Sequence, residues 1–190
     1  MLYYIKWTFW LLFWAAMLSF LHYTLPQWDI VRITDTYERR ETPGENSWFW
    51  TNASTGSGQA ADNSRDVFFI QGVRENGRPA VYRNEDTGFG WPPFFKINSA
   101  DLQTRAADLV STPAEPDWVA IRHYGWRLNV PTAYPNALRI RDVEGPDTRI
   151  IPWVSIAILV GLACVFWAIY ARWRRFWANR VDPLLDGDDI

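Results

Sequence analysis

Ile151-Pro152-Trp153-Val154-Ser155-Ile156-Ala157-Ile158-Leu159-Val160-Gly161-Leu162-Ala163-Cys164-Val165-Phe166-Trp167-Ala168-Ile169-Tyr170-Ala171 contains no charged side chain. Wound as a helix at about 1.5 Å per residue, such a run matches the hydrocarbon core of a bilayer, about 30 Å thick. The Ile-Pro opening suits the first turn of a helix, where the missing N–H of proline is no loss. Nearer the N-terminus, Trp7 to Leu25 is likewise free of charge and stops at Pro26. A cleaved secretory signal would carry a small-x-small processing site after its apolar run; none precedes Pro26, and the segment is dense in Trp and Phe. The expectation is a membrane-anchored chain with transmembrane helices at 7–25 and 151–171, a single domain at 26–150 between them, and short ends at 1–6 and 172–190.

Orientation follows from the basic flanks. Lys6 precedes the first run, and Arg172, Arg174, Arg175 and Arg180 follow the second, in a tail that turns from basic to acidic. Lys and Arg near span ends stay cytoplasmic, whereas long loops translocate largely regardless of their own charge. Both termini are expected in the cytoplasm and 26–150 on the far side. The aromatic residues agree: Tyr3, Tyr4, Trp7, Phe166, Trp167, Tyr170 and Trp173 would mark the inner boundary, and Tyr23, Trp28 and Trp153 the outer one.

Composition narrows the classes. A net charge of -2 over 190 residues leaves no basic face for a phosphate backbone, which excludes nucleic acid as a partner. The 13 Trp favour membrane boundaries and packed interfaces. Cys164 is the sole cysteine, so neither an internal disulfide nor a cysteine zinc site can form.

Between the spans, Asp29 to Arg40 reads as a strand, rich in β-branched residues. Glu41 to Arg65 is Thr/Pro/Gly/Asn/Ser-rich and reads as a mobile loop, apart from the apolar island Trp48-Phe49-Trp50. Asp66 to Arg74 and Pro79 to Arg83 form a hairpin across Asn76-Gly77. A helix follows at about Ala100 to Val110, capped by Asn98 and Ser99 and closed by Pro113 and Pro116. Trp118 to Arg127 and Ala137 to Val143 are the fourth and fifth strands, with Pro131 and Tyr134-Pro135-Asn136 turning between them. Five strands with one helix between the third and fourth is the order of a small OB-like barrel, giving a membrane-anchored, mainly β fold with some helix. An α+β sandwich of the same elements is the alternative.

Few groups offer chemistry. His123 and His22 lack the further ligands a metal or haem requires. Glu85 and Asp86 are neighbours that would point apart in a strand and be solvated in a loop. No phosphate loop, nucleophile elbow or zinc-protease motif is present. No catalytic residue, metal or cofactor is therefore expected. Contact surfaces are better marked. Ala157, Gly161, Cys164, Ala168 and Ala171 share one helical face, and Thr8, Ala15, Ser19 and His22 line another, so the spans are expected to pack on each other or on a partner's helix. Trp7, Trp10 and Trp14 form an indole face suited to lipid, a membrane protein or a cofactor. The loop Phe89-Gly90-Trp91-Pro92-Pro93-Phe94-Phe95 presents Phe89, Trp91 and Phe94 either as a contact surface or for packing against the barrel or the outer membrane boundary.

Phe95-Lys96-Ile97-Asn98-Ser99-Ala100-Asp101-Leu102-Gln103, His123-Tyr124-Gly125-Trp126-Arg127, Tyr134-Pro135-Asn136-Ala137 and Asn84-Glu85-Asp86-Thr87 resemble signature stretches of a bacterial membrane-associated family, the domain-of-unknown-function family 1523. The resemblance spans nearly the whole chain and implies a bacterial membrane-associated protein, for which the topology above makes the membrane the inner one and 26–150 periplasmic; it brings no activity and no catalytic residues. The expected role is a non-catalytic accessory, scaffold or assembly protein binding a larger membrane complex through spans and domain. A ligand-binding or enzymatic domain working in the barrel mouth is the competing expectation. An alkaline phosphatase fusion inserted between Gly56 and Gln59 should be active and one after Ile190 inactive; activity at the C-terminus would overturn the topology.

Overall fold

The computed structural model describes residues 2–41, 65–128, 133–177 and 179. The elements run α1 (Leu2–Thr24), β1 (Gln27–Glu41), β2 (Arg65–Val73), β3 (Pro79–Asn84), α2 (Ser99–Asp108), β4 (Trp118–Tyr124), β5 (Asn136–Asp142) and α3 (Trp153–Phe176). The chain divides into two units, 1–150 and 151–190. The expected mobile loop falls, apart from its two end residues, on 42–64, outside the described residues. Glu41 and Arg65 themselves belong to strands.

The five strands close a barrel in the order β1-β2-β3-β5-β4. Closure depends on β1 serving two neighbours. Its first half pairs with β4, from Gln27 opposite His123 to Arg32 opposite Trp118. Its second half pairs with β2, from Arg32 opposite Val73 to Glu41 opposite Arg65. An irregularity between Ile33 and Asp35 lets the strand bend from one partner to the other. Val31 and Ile33 from β1, Ile70, Tyr82, Val119, Ile121 and Ile140 fill the interior, and α2 adds Leu102 and Ala106. Alternation along β1 and β4 puts Val31, Ile33, Val119 and Ile121 on the core side, as a half-buried antiparallel strand requires.

The hairpin between β2 and β3 forms as expected: Gly77 has φ 74 and its N–H donates to the Arg74 carbonyl at 2.9 Å. Three expectations are corrected. α2 is not capped by the Asn98 side chain, which makes no capping bond; the Ser99 N–H is satisfied instead by Asp86 Oδ1 at 2.9 Å. The helix ends at Asp108 with Leu109 as C-cap, ahead of both prolines, because Val110 bridges to Ile33 and the Ser111 N–H donates to the Ile33 carbonyl at 3.0 Å. β4 stops at Tyr124, short of Arg127, where Gly125 turns at φ 90 and donates its N–H to the Tyr23 carbonyl of α1 at 2.9 Å.

Two helices, Tyr3–Thr24 and Trp153–Phe176, are long and apolar enough to cross a membrane. Pro152 stands at the N-cap of α3 rather than within its first turn. The bend of β1 over β2 depends on a side chain that is missing. A Cβ at Gly72 would lie 2.9 Å from the Arg32 carbonyl oxygen and 3.2 Å from Val31. Gly72→Ala should therefore destabilise the barrel by about 1–3 kcal/mol, the cost of overpacking against backbone that cannot yield. The thermal midpoint in detergent measures it; an unchanged midpoint would show that β1 has room to move.

Candidate functional site

The barrel closes between β3 and β5 through a single parallel pair, Arg83 opposite Asn136, supported by the Arg83 N–H donating to the Pro135 carbonyl at 2.9 Å. Beyond that pair, side chains take over from backbone. Asn136 Oδ1 accepts the Glu85 N–H at 2.9 Å and Asn136 Nδ2 donates to the Glu85 carbonyl at 3.0 Å, so one carboxamide pairs with both main-chain groups of Glu85 as a strand would. The same Nδ2 lies 3.2 Å from the Tyr124 hydroxyl oxygen. Asn84, the last residue of β3, donates through Nδ2 to the Ser99 carbonyl at 2.9 Å and to Gln103 Oε1 at 3.0 Å, and its Oδ1 accepts from Lys96 Nζ. Gln103 passes the chain on to the Phe69 carbonyl of β2 at 3.2 Å. The network thereby ties β2, β3, β5, α2 and the loop between β3 and α2.

That loop is pinched at its base. The Thr87 and Gly88 N–H groups both donate to the Lys96 carbonyl, at 3.0 and 3.2 Å, and Thr87 Oγ1 accepts the Lys96 N–H at 3.1 Å. Between these residues Gly88 and Phe95 take positive φ of 49 and 50, a strained choice for phenylalanine that persists only where the surroundings over-determine it. Lys96 is 5% exposed. Burial disfavours its ammonium form and brings its pKa down to about 7, against the opposing pull of the Asp86 and Glu85 carboxylates and with a further push from Arg83. Arg83 Nε and Glu85 Oε2 form a buried ion pair at 2.7 Å.

A second polar group occupies β1, β3 and β4. Asp29 Oδ2 accepts from Arg74 Nη2 at 2.5 Å and from the Tyr82 hydroxyl at 2.7 Å, and His123 Nε2 lies 3.2 Å away. Burial alone would raise the Asp29 carboxyl, but His123, Tyr82 and Arg74 outweigh it and hold it well below the usual range. Burial and the same carboxylate push the Tyr82 phenol well above its ordinary value.

The expected contact residues separate. Phe89 and Trp91 are exposed, but Phe94 turns inward, half-buried, with its ring 5.2 Å from that of Tyr124. Phe95 and Ile97, which the sequence reading did not single out as contacts, are exposed in its place. Trp7, Trp10 and Trp14 are exposed on α1, and Ala157, Gly161, Cys164 and Ala168 on α3. A Cβ at Gly161 would meet nothing within 4 Å. Arg172, Arg174 and Arg175 lie exposed in the last turns of α3, and Arg180 is outside the described residues. His22 and His123 have different partners: His22 Nδ1 accepts from Trp126 Nε1 at 2.8 Å, and His123 Nε2 lies 3.2 Å from Asp29 Oδ2. Among the described residues no three His, Cys, Asp or Glu are grouped so as to hold a metal. Glu85 and Asp86 part company: the Glu85 carboxylate pairs with Arg83, largely out of solvent, whereas exposed Asp86 accepts from the Ser99 N–H at the start of α2.

Lys96 makes stability depend on pH. The unfolded chain keeps this proton up to the ordinary lysine value of 10.5, whereas the folded chain releases it above about 7. Between those limits the unfolded state binds more protons, so the burial penalty is full below pH 7 and is relieved as pH rises. Relative to Lys96→Met, the parent should gain on the order of 2 kcal/mol between about pH 7 and about pH 9, at about 1.36 kcal/mol per pH unit. Paired thermal midpoints check it, and a pH-independent difference would mean the ammonium is solvated.

The segments that meet in this network, 84–87, 95–103, 123–127 and 134–137, are those that carry the family resemblance. The model of the family described as protein of unknown function (DUF1523) matches residues 2–177. An uncharacterized protein of Haemophilus influenzae (strain ATCC 51907 / DSM 11121 / KW20 / Rd) is 34% identical over 161 residues, covering 83% of this chain and 86% of the relative. No solved structure matches. With the family model running through both apolar helices and the whole barrel, the chain belongs to the DUF1523 family of proteins of unknown function.

Proposed function

We propose that the chain is a non-catalytic accessory, scaffold or assembly protein of the bacterial inner membrane, whose α1 and α3 cross the bilayer with both termini cytoplasmic and whose barrel stands in the periplasm. The single observation carrying this reading is the sorting of side chains between Asn84 and Ser99. Groups capable of chemistry, Asn84, Glu85, Asp86 and Lys96, are engaged with one another, with Arg83 and with backbone, whereas Phe89, Trp91, Phe95 and Ile97 face outward. A catalytic site does the reverse, aiming titratable groups into an accessible cleft. Exposed ring systems on a braced loop fit contact with another surface.

The barrel is read as OB-like because its strand order places β5 between β3 and β4 and its helix falls between β3 and β4. One observation favours the second reading, a ligand-binding or enzymatic domain: a lysine with a pKa of about 7 is half neutral at physiological pH, a state suited to a nucleophile or base.

We place the partner contact on the small-residue face of α3, where a Cβ at Gly161 would meet none of the described residues within 4 Å. Gly161→Leu should insert normally, since the segment becomes more apolar, yet hold a packed helix away from the backbone. On native gels after mild detergent extraction, the parent should migrate as a complex larger than one chain and Gly161→Leu as a smaller species. Leu159→Phe, on a different face, should match the parent. A parent that already runs as a single chain, or a Gly161→Leu variant that runs with it, would sink the scaffold reading.

A further inference from the structure

We infer that the loop at 88–97 is an interfacial anchor, laying Phe89, Trp91, Phe95 and Ile97 into the outer boundary of the same bilayer that α1 enters. This inference rests on the reading of α1 as a membrane span. Its first support is height. Phe20 of α1 stacks on Trp91, with ring centroids 5.7 Å apart and planes 13° from parallel. α1 ends at Thr24, four residues beyond Phe20 and so about 6 Å further along the helix axis. A ring stacked on Phe20 therefore lies no higher than the headgroup layer, the depth at which Trp and Tyr collect.

The second support is what the loop shows and what it hides. Phe89 is 94% exposed, Ile97 80%, Trp91 59% and Phe95 58%, a density of uncovered apolar surface that soluble faces avoid. From Gly88 to Ile97 the sequence contains one charged residue, Lys96, and it is turned into the protein onto Asn84. A loop meant for water would present that ammonium and cover the rings. Entry into a headgroup layer requires the opposite, because an exposed charge drawn toward lipid tails must be desolvated.

The third support is that the loop is braced. Thr87, Gly88 and Lys96 lock its base, Phe94 packs on Tyr124, and Phe95 is held at a φ of 50 that turns its ring beside that of Phe89, 5.6 Å away. Rings fixed in advance lose little conformational freedom on contact.

The test uses the full chain in phosphatidylcholine vesicles, with Cys164→Ser removing the native thiol. Single cysteines replacing Phe89, Ile97, Leu12 or Arg39 carry an environment-sensitive fluorophore, and nitroxide-labelled lipids of known depth quench it. Positions 89 and 97 should be quenched most by labels just below the headgroups and should emit to the blue. Position 12, in mid α1, should be quenched most by labels near the bilayer centre. Position 39, near the far end of β1, should be quenched several-fold less than any of these. If position 12 responds to deep labels while 89 and 97 respond no more than 39, the loop inference fails and the anchoring of α1 stands. If position 12 is not quenched, the span reading fails and takes the inference with it.

Discussion

A five-stranded barrel must join its first and last edges, and here the join between β3 and β5 rests on the carboxamide of Asn136. Among the described residues the backbone pairs Arg83 with Asn136, and the Arg83 N–H donates to the Pro135 carbonyl. Asn136 extends the seam by imitating a strand, accepting from and donating to the main chain of Glu85. Each such bond contributes about 0.5–1.5 kcal/mol net, but leaving its buried partner unmet costs about 1–3 kcal/mol, so the pair acts more as a constraint than as a source of stability. The closed order β1-β2-β3-β5-β4 and the placing of α2 beneath it follow once that seam holds.

The seam also sets the loop. With the Glu85 main chain fixed, Arg83 and Glu85 are brought to 2.7 Å and Asp86 reaches the first N–H of α2. Asn84 then sits between α2 and Lys96, and the lysine returns to close the loop on Thr87. Buried polar networks are stable only when nearly complete, because a half-paired group in a low-dielectric interior is worse than an apolar one. Burying an ammonium beside Arg83 is the unfavourable part of this arrangement, and the lowered pKa of Lys96 expresses it. What the arrangement secures is a stretch, 88–97, whose one charged side chain is hidden.

Local patterns were readable wherever the physics is local. A β-branched run marked β1, Asn76-Gly77 marked the hairpin turn, and charge-free runs marked α1 and α3, with boundaries displaced by a few residues. The helix cap was misread because Asn98 and Ser99 satisfy the local rule while the bond comes from Asp86, thirteen residues earlier. Adjacent Glu85 and Asp86 could point apart or lie solvated together; they part, because one meets Arg83 and the other a helix end. The Asn136 clamp reaches across fifty-one residues of chain, and no periodicity announces such a bond. The resemblance had nonetheless gathered Asn84, Lys96, Gln103 and Asn136 into its signature stretches, and the fold supplies the reason they belong together: they are one network. Inward Phe94 and outward Phe95 could not be told apart from sequence, since the reversal depends on the φ of Phe95 rather than on composition.

The junction of α1 and the barrel has the same character as the seam, with side chains extending what backbone begins. β1 starts at Gln27, close behind the end of α1 at Thr24, which leaves no room for a flexible linker. Gln27 Nε2 donates back to the His22 carbonyl at 2.9 Å, Gly125 donates to the Tyr23 carbonyl at 2.9 Å, and Trp126 reaches His22 through Nε1 while meeting the Tyr23 ring edge-on at 5.5 Å. With Phe20 on Trp91 these contacts hold the last turns of α1 from two sides, the β4 end and the loop at 88–97. A tilt of α1 therefore carries the barrel with it. Conversely, a force on the ring of Trp91 acts on the helix through Phe20, because the short connection and paired contacts couple the two bodies.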